Sequence, residues 1–208
     1  MNSKTWIGWI VAVGIGVSIY YTFFSDSSDS NYLSQITKER KERDQYMRTA
    51  SDSPFANKPD DFTGLSYFDP NPAYRFTADL EYVKKEPVEV LTSDGQSRNY
   101  LTYARASFDL GNLRHSLLIL EVLDSGPQRG TLFLGFTDET SASETYGAGR
   151  YLDLKKVPGA TNILLDFNLA YNPYCAYNEQ FSCPLPPLEN DLKIAIKAGE
   201  RTYIKTAR

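Results

Sequence analysis

Three hydrophobic patterns follow one another along this chain. The first, Trp6 to Phe24 (WIGWIVAVGIGVSIYYTFF), is a run of 19 residues without a charge. At ~1.5 Å rise per residue, a helix of that length covers most of a ~30 Å hydrocarbon layer. The pattern predicts a transmembrane helix or uncleaved signal anchor over residues 1–25, with Trp6, Trp9, Tyr20 and Tyr21 at the interfaces. A cleaved signal has a shorter apolar core and a small-residue site after it, and YYTFFSDSS offers none. Gly8, Ala12 and Gly16 recur every four residues and give one face suited to weak homo-association of such spans.

The second pattern is sparse. SDSSDSN reads as a flexible tether. Residues 31–49 then mix both signs of charge with Tyr32, Leu33, Ile36, Tyr46 and Met47, which predicts a mostly exposed helix within a 26–53 segment. Glu39 and Arg43 stand four apart in the favourable order, and KERKER reads as its solvated face. Pro54 and Pro59 close the helix and open the next region.

From residue 74 the period drops to two. In YRFTADLEYV the residues Tyr74, Phe76, Ala78, Leu80 and Tyr82 alternate with polar ones, as in a half-buried strand. PVEVLTSDGQ carries a strand into a Ser-Asp-Gly turn and predicts a hairpin with RNYLTYARASFDL. HSLLILEVLD, TLFLGFTD, RYLDL, TNILLDFNL and DLKIAIKAGE supply further strands between Gly and Pro punctuation. Without a convincing helical repeat beyond residue 60, residues 54–208 predict one all-β domain, an antiparallel β-sandwich or barrel.

Composition narrows the function classes. A net charge of -4 and a pI near 5.1 provide no basic surface for nucleic acid. Two cysteines and one histidine are too few for a structural zinc site, and no cofactor motif is present. GAG in ETYGAGRYLD lacks the third glycine and the following helix of a dinucleotide fingerprint. His115, at the start of an apolar strand, has no evident orienting partner for a Ser-His or Cys-His arrangement. Any catalysis would fall to carboxylates, Tyr and Arg.

Those residue types gather in two segments. ETYGAGRYLD brings Glu144, Tyr146, Arg150, Tyr151 and Asp153 around two glycines that permit a tight turn or close backbone approach. Arg150 can grip a carboxylate or phosphate with two prongs, or pair with Glu144 or Asp166 as architecture. In ILLDFNLAYN, period two places Asp166 and Asn168 on one face and Leu165, Phe167 and Leu169 on the other. An adjacent carboxylate and amide suit a polar ligand or a general base, and equally suit hydrogen bonds to loop backbone. Tyr171 and Asn172 follow, and CPLPPLEN returns on a stiff path that delivers Glu189 and Asn190. Cys175 and Cys183, with seven residues between them, are candidates for a disulfide closing that loop. Two roles compete for this constellation: a small-polar-ligand site, or a hydrolase-like site with Asp166 or Glu189 as base and Arg150 or Asn168 steadying developing charge. A third role is purely structural, in an envelope interaction protein.

RDQYMRTASDSPF, FTGLSYFDPNPAYRF, ETYGAGRYLDL, DFNLAYNPYCAYNEQFSCPLPPLEN and LKIAIKAGE resemble the successive signatures of the bacterial and archaeal domain of unknown function 1684 family, over about residues 43–200. The resemblance implies one domain type containing both polar segments, with no activity attached. Family members that begin with an export signal or lipoprotein-like start point to a membrane-anchored, extracytoplasmic domain. The basic cluster starting 14 residues past the span weighs the other way under the positive-inside rule.

Overall fold

The computed structural model describes residues 29–123 and 127–204. The expected span at 6–24, with Gly8, Ala12 and Gly16, lies outside them. No helix among the described residues is long and apolar enough to cross a membrane.

Helix α1 covers residues 29–49, and eight strands follow. These are β1 Arg75–Tyr82, β2 Pro87–Leu91, β3 Ser97–Leu110, β4 Leu113–Val122, β5 Leu132–Asp138, β6 Arg150–Leu152, β7 Asn162–Asp166 and β8 Asp191–Leu192. They form one curled sheet in the order β6-β5-β4-β3-β1-β7, with β2 also on β3 and β8 on β5. All pairings are antiparallel except β5 with β8. The all-β expectation holds as an open half-barrel of one sheet. The predicted hairpin is present, with Val88 opposite Tyr100 and Gly95 at φ 80° in the turn.

Alternation explains which face is inside. Ala78, Ala106, Leu117, Ile119, Leu134, Phe136 and Leu165 meet in the concave core. Phe167 lies among Phe76, Phe108 and Phe136, with ring centroids at 5.9, 5.5 and 5.1 Å. Burying a ring of that size contributes about 1.5–3 kcal/mol. Gly149, at φ +91°, is demanded by a close approach of backbone to backbone. A Cβ there would lie 2.5 Å from the Phe136 carbonyl oxygen and 2.7 Å from Pro186 Cγ.

Two sequence expectations change here. The strand through ILLDFNLAYN ends at Asp166, and Phe167–Leu169 is a 3-10 turn. Asp166 causes this itself, because its side chain accepts the Asn168 amide and caps the turn. DLKIAIKAGE forms a strand only at Asp191–Leu192. The expected helix is present and most of its residues are exposed, with Tyr32, Ile36 and Met47 buried where it docks on the domain.

Candidate functional site

The docked face of α1 carries Tyr32, Ile36, Arg40, Arg43 and Met47, at spacings of four, four, three and four. Those intervals place all five on one helical stripe. Tyr32 Oη donates to the Asp166 carboxylate at 2.9 Å and accepts from Asn168 Nδ2 at 2.9 Å. Arg40 Nη1 and Nη2 donate to the carbonyls of Phe68 and Asn168 at 2.9 and 3.1 Å. Tyr46 and Tyr174 share a hydroxyl hydrogen bond of 2.7 Å near the far end.

Between α1 and the domain lies a cavity of about 250 Å³ lined by Arg40, Arg43, Tyr67, Asn168 and Tyr171, with Glu39, Asp153 and Leu169 completing it. The Arg40 guanidinium lies over the Tyr67 ring at 4.5 Å, and that of Arg43 over Tyr171 at 4.2 Å. Arg40 Nε, Arg43 Nε and Nη2, and the Tyr67 hydroxyl are buried without a hydrogen-bond partner. The acceptors around them are engaged. Asp153 takes the Tyr171 hydroxyl at 2.6 Å, Glu39 takes Gln35 at 2.8 Å, and Asn168 uses its side chain on Tyr32, Asp166 and the Asn71 backbone.

Behind the cavity, fully buried Glu200 lies 3.6 Å from Arg43 Nε and accepts from Tyr177 and Asn172. Burial pushes the Glu200 pKa up, against the pull of Arg43. Burial pulls the Arg43 pKa down, but Tyr177 and Glu200 more than offset it and the net shift is upward. Burial likewise lowers that of Arg40, and burial together with Glu200 raises that of Tyr67. A wider cleft of about 810 Å³, with Phe55, Tyr177, Tyr203 and Lys58 in its walls, also contains Asp60, Asp61 and Glu179, all of which have partners.

The residues singled out from sequence fall into separate networks. Of these, Asp153, Asn168 and Tyr171 line the smaller cavity. Asp166 lies behind it, held by Tyr32, Asn168 and Arg75, the last at 3.7 Å. Asn172 is buried and binds Glu200 and the Arg201 carbonyl. Arg150 is fully buried; its ion partner is Asp138 at 2.8 Å rather than Glu144 or Asp166, and it donates to the carbonyls of Ile196, Ala198 and Glu200. Glu144 instead pairs with Lys197 at 2.9 Å. Tyr146 donates to Cys175 Sγ at 3.8 Å, and Tyr151 donates to the Pro184 carbonyl. Glu189 is exposed and pairs with Arg105 on β3, whereas Asn190 is buried on Leu118 and Gly135. Neither Asp166 nor Glu189 lines either cavity. Cys175 and Cys183 are buried free thiols.

Arg40, Arg43 and Tyr67 were not among the expected site residues. The first two sit inside KERKER, where the density of charge conceals that they share a stripe with Tyr32, Ile36 and Met47. The helical spacing was the available signal. Tyr67 had only its place in FTGLSYFDPNPAYRF, since its position depends on the chain folding back beneath α1.

These features define a class: a curled antiparallel β domain that clasps its own N-terminal helix over an arginine-lined polar cavity. The chain belongs to the family described as protein of unknown function (DUF1684), whose profile matches residues 60–201. An uncharacterised protein of Haloarcula marismortui, solved by solution NMR, is similar at 40% identity and a TM-score of 0.64. The match covers 85% of this chain and 97% of that one. No curated protein matches the chain.

Proposed function

We propose that the domain binds a small anionic molecule in the cavity beneath α1, with Arg40, Arg43 and Tyr67 as donors and Tyr171 and Asn168 as walls. The carrying observation is the imbalance of hydrogen-bonding groups: four buried polar atoms on three cavity-lining side chains have no hydrogen-bond partner, while the surrounding acceptors are engaged. A buried unpaired donor costs about 1–3 kcal/mol, and a ligand that brings acceptors recovers it. A cavity of about 250 Å³ is below the roughly 300–1,000 Å³ of drug-sized sites, which selects a compact carboxylate or phosphate compound.

The test is thermal unfolding and calorimetric titration of the full chain against inorganic phosphate, acetate and small dicarboxylates. A ligand at about 100 times its Kd stabilises by about 2.7 kcal/mol. Arg40→Gln, which leaves Arg43 and Glu200 in place, is expected to abolish that gain. Unchanged stability with every anion, or equal stabilisation of Arg40→Gln, refutes the site. Residues 6–24 form, in the same proposal, a membrane anchor, supported by the uncharged run and its flanking aromatics. Alkaline carbonate releasing the full chain from membranes would end that part.

A further inference from the structure

Cys175 and Cys183 lie away from the proposed anion cavity and are held by two different frames. Cys175 begins no free loop: it sits in the 3-10 turn Tyr174–Ala176 behind Pro173, with the Ala176 amide closing onto the Pro173 carbonyl at 2.9 Å. Cys183 is fastened to the β2–β3 hairpin. Its amide donates to Ser93 Oγ at 3.1 Å, and its carbonyl accepts the Ser93 amide at 2.8 Å. Flanking bonds from Arg98 to the Ser182 carbonyl at 3.0 Å and from Leu185 to Leu91 at 2.7 Å fix the same stretch.

Across the gap the Cys175 amide donates to Cys183 Sγ at 3.2 Å, and the Tyr146 hydroxyl donates to Cys175 Sγ at 3.8 Å. Each sulfur thus accepts a donor, Cys183 the Cys175 amide and Cys175 the Tyr146 hydroxyl. Of the two, Cys175 is the one that faces a side-chain hydroxyl, which assigns it as the attacking sulfur and Cys183 as the resolving one.

We propose that Cys175 and Cys183 are a reversible dithiol site that exchanges with a low-molecular-weight disulfide. The Cys175 thiolate attacks one sulfur of the small disulfide, forming a mixed disulfide and expelling one thiolate. Cys183 gives its proton to that thiolate and attacks Cys175 Sγ, which expels the second thiolate and closes the Cys175–Cys183 bond. Two electrons pass from the dithiol to the small disulfide, which leaves as two thiols once the second thiolate takes from solvent the proton that Cys175 gave up on ionising. The hydrogen bond from Cys183, with help from Tyr146 and Ser93, lowers the Cys175 pKa to about 6 against the opposing effect of burial, and Cys183 is pushed up as its counterpart. With only 8% and 7% of the two residues exposed, the site excludes the disulfide of a partner protein.

The experiment is oxidation of the full chain with oxidised glutathione, an acid quench, alkylation and peptide mass mapping. The wild-type chain is expected to lose both alkylatable thiols and yield a Cys175–Cys183 cross-linked peptide that dithiothreitol reverses. Cys183→Ser is expected to stop at a glutathione adduct on Cys175, and Cys175→Ser to react at least tenfold more slowly. Both thiols of the folded wild-type chain remaining alkylatable overturns the proposal without any variant. An adduct forming as fast on Cys183 in Cys175→Ser reverses the assigned roles and overturns it too.

Discussion

Arg150→Met is the sharpest test of whether Arg150 builds the fold or grips a ligand. In the native chain its guanidinium is fully buried, with Nη2 at 2.8 Å from Asp138 and 2.9 Å from the Ile196 carbonyl, and Nη1 on the carbonyls of Ala198 and Glu200. Methionine fills similar space without a charge or donor. Removing one partner of a buried ion pair costs about 3–5 kcal/mol, because the other is left uncompensated. Three carbonyls also lose a donor, each at about 1–3 kcal/mol if it stays dry, and these costs overlap with the first. A net loss of about 4–6 kcal/mol is expected, a large part of the ~5–15 kcal/mol that holds a typical domain. For a domain of this size that lowers Tm by roughly 10–20 °C. Urea unfolding of wild type, Arg150→Met, Asp138→Asn and the double variant measures it. The double variant is expected to be markedly less unstable than the two single losses added, since an asparagine in place of Asp138 strands no charge. A loss under about 1 kcal/mol for Arg150→Met, or strict additivity in the cycle, refutes the structural role of Arg150.

Two further predictions concern the polar groups behind α1. Glu200 has its pKa raised by burial, so the native state keeps a proton that the unfolded state has lost. Its contribution is full below the unfolded value near ~4.3 and fades as pH rises through the raised native value, so the stability difference between wild type and Glu200→Gln is expected to shrink with rising pH; a difference flat with pH from about 4 to 8 contradicts it. Tyr32→Phe removes the hydroxyl that bridges Asp166 and Asn168 and is expected to cost about 1.5–3 kcal/mol, with faster proteolysis inside residues 29–49; unchanged cleavage would show that this bond does not hold the helix down.

Strand β4 was legible because burial on both faces leaves the apolar run Leu117 to Leu120, and β1 and β2 because one wet and one dry face impose period two. The same rule misplaced Asp166 and Asn168. A strand reading sets them side by side on an open face, whereas Asp166 accepts the Asn168 amide, turns the chain and leaves both side chains buried beneath Tyr32. Asx side chains compete with the ladder for backbone donors, and composition alone does not say which wins. The Arg150 to Asp138 pair was hidden for a different reason. Phe136 pairs with Arg150 across β5 and β6, so the partner was set by a register that only the fold defines.

The crowding of polar side chains between residues 138 and 200 has a common cause. After β7 the chain makes few ladder pairings, yet much of it is buried and its peptide groups still require partners. Side-chain amides provide them in the geometry of a peptide. Asn190 receives the Leu118 amide and donates to the carbonyls of Leu118 and Gly135, and Asn168 receives the Asn71 amide and donates to its carbonyl. Arg150 takes three successive alternate carbonyls, at Ile196, Ala198 and Glu200, as a neighbouring strand would, and Asp138 takes the Ile196 amide. Polar residues that look like chemistry in the sequence are thus replacing a missing strand. That is why the groups left without hydrogen-bond partners at a cavity lie elsewhere, on Arg40, Arg43 and Tyr67, where α1 closes over the sheet.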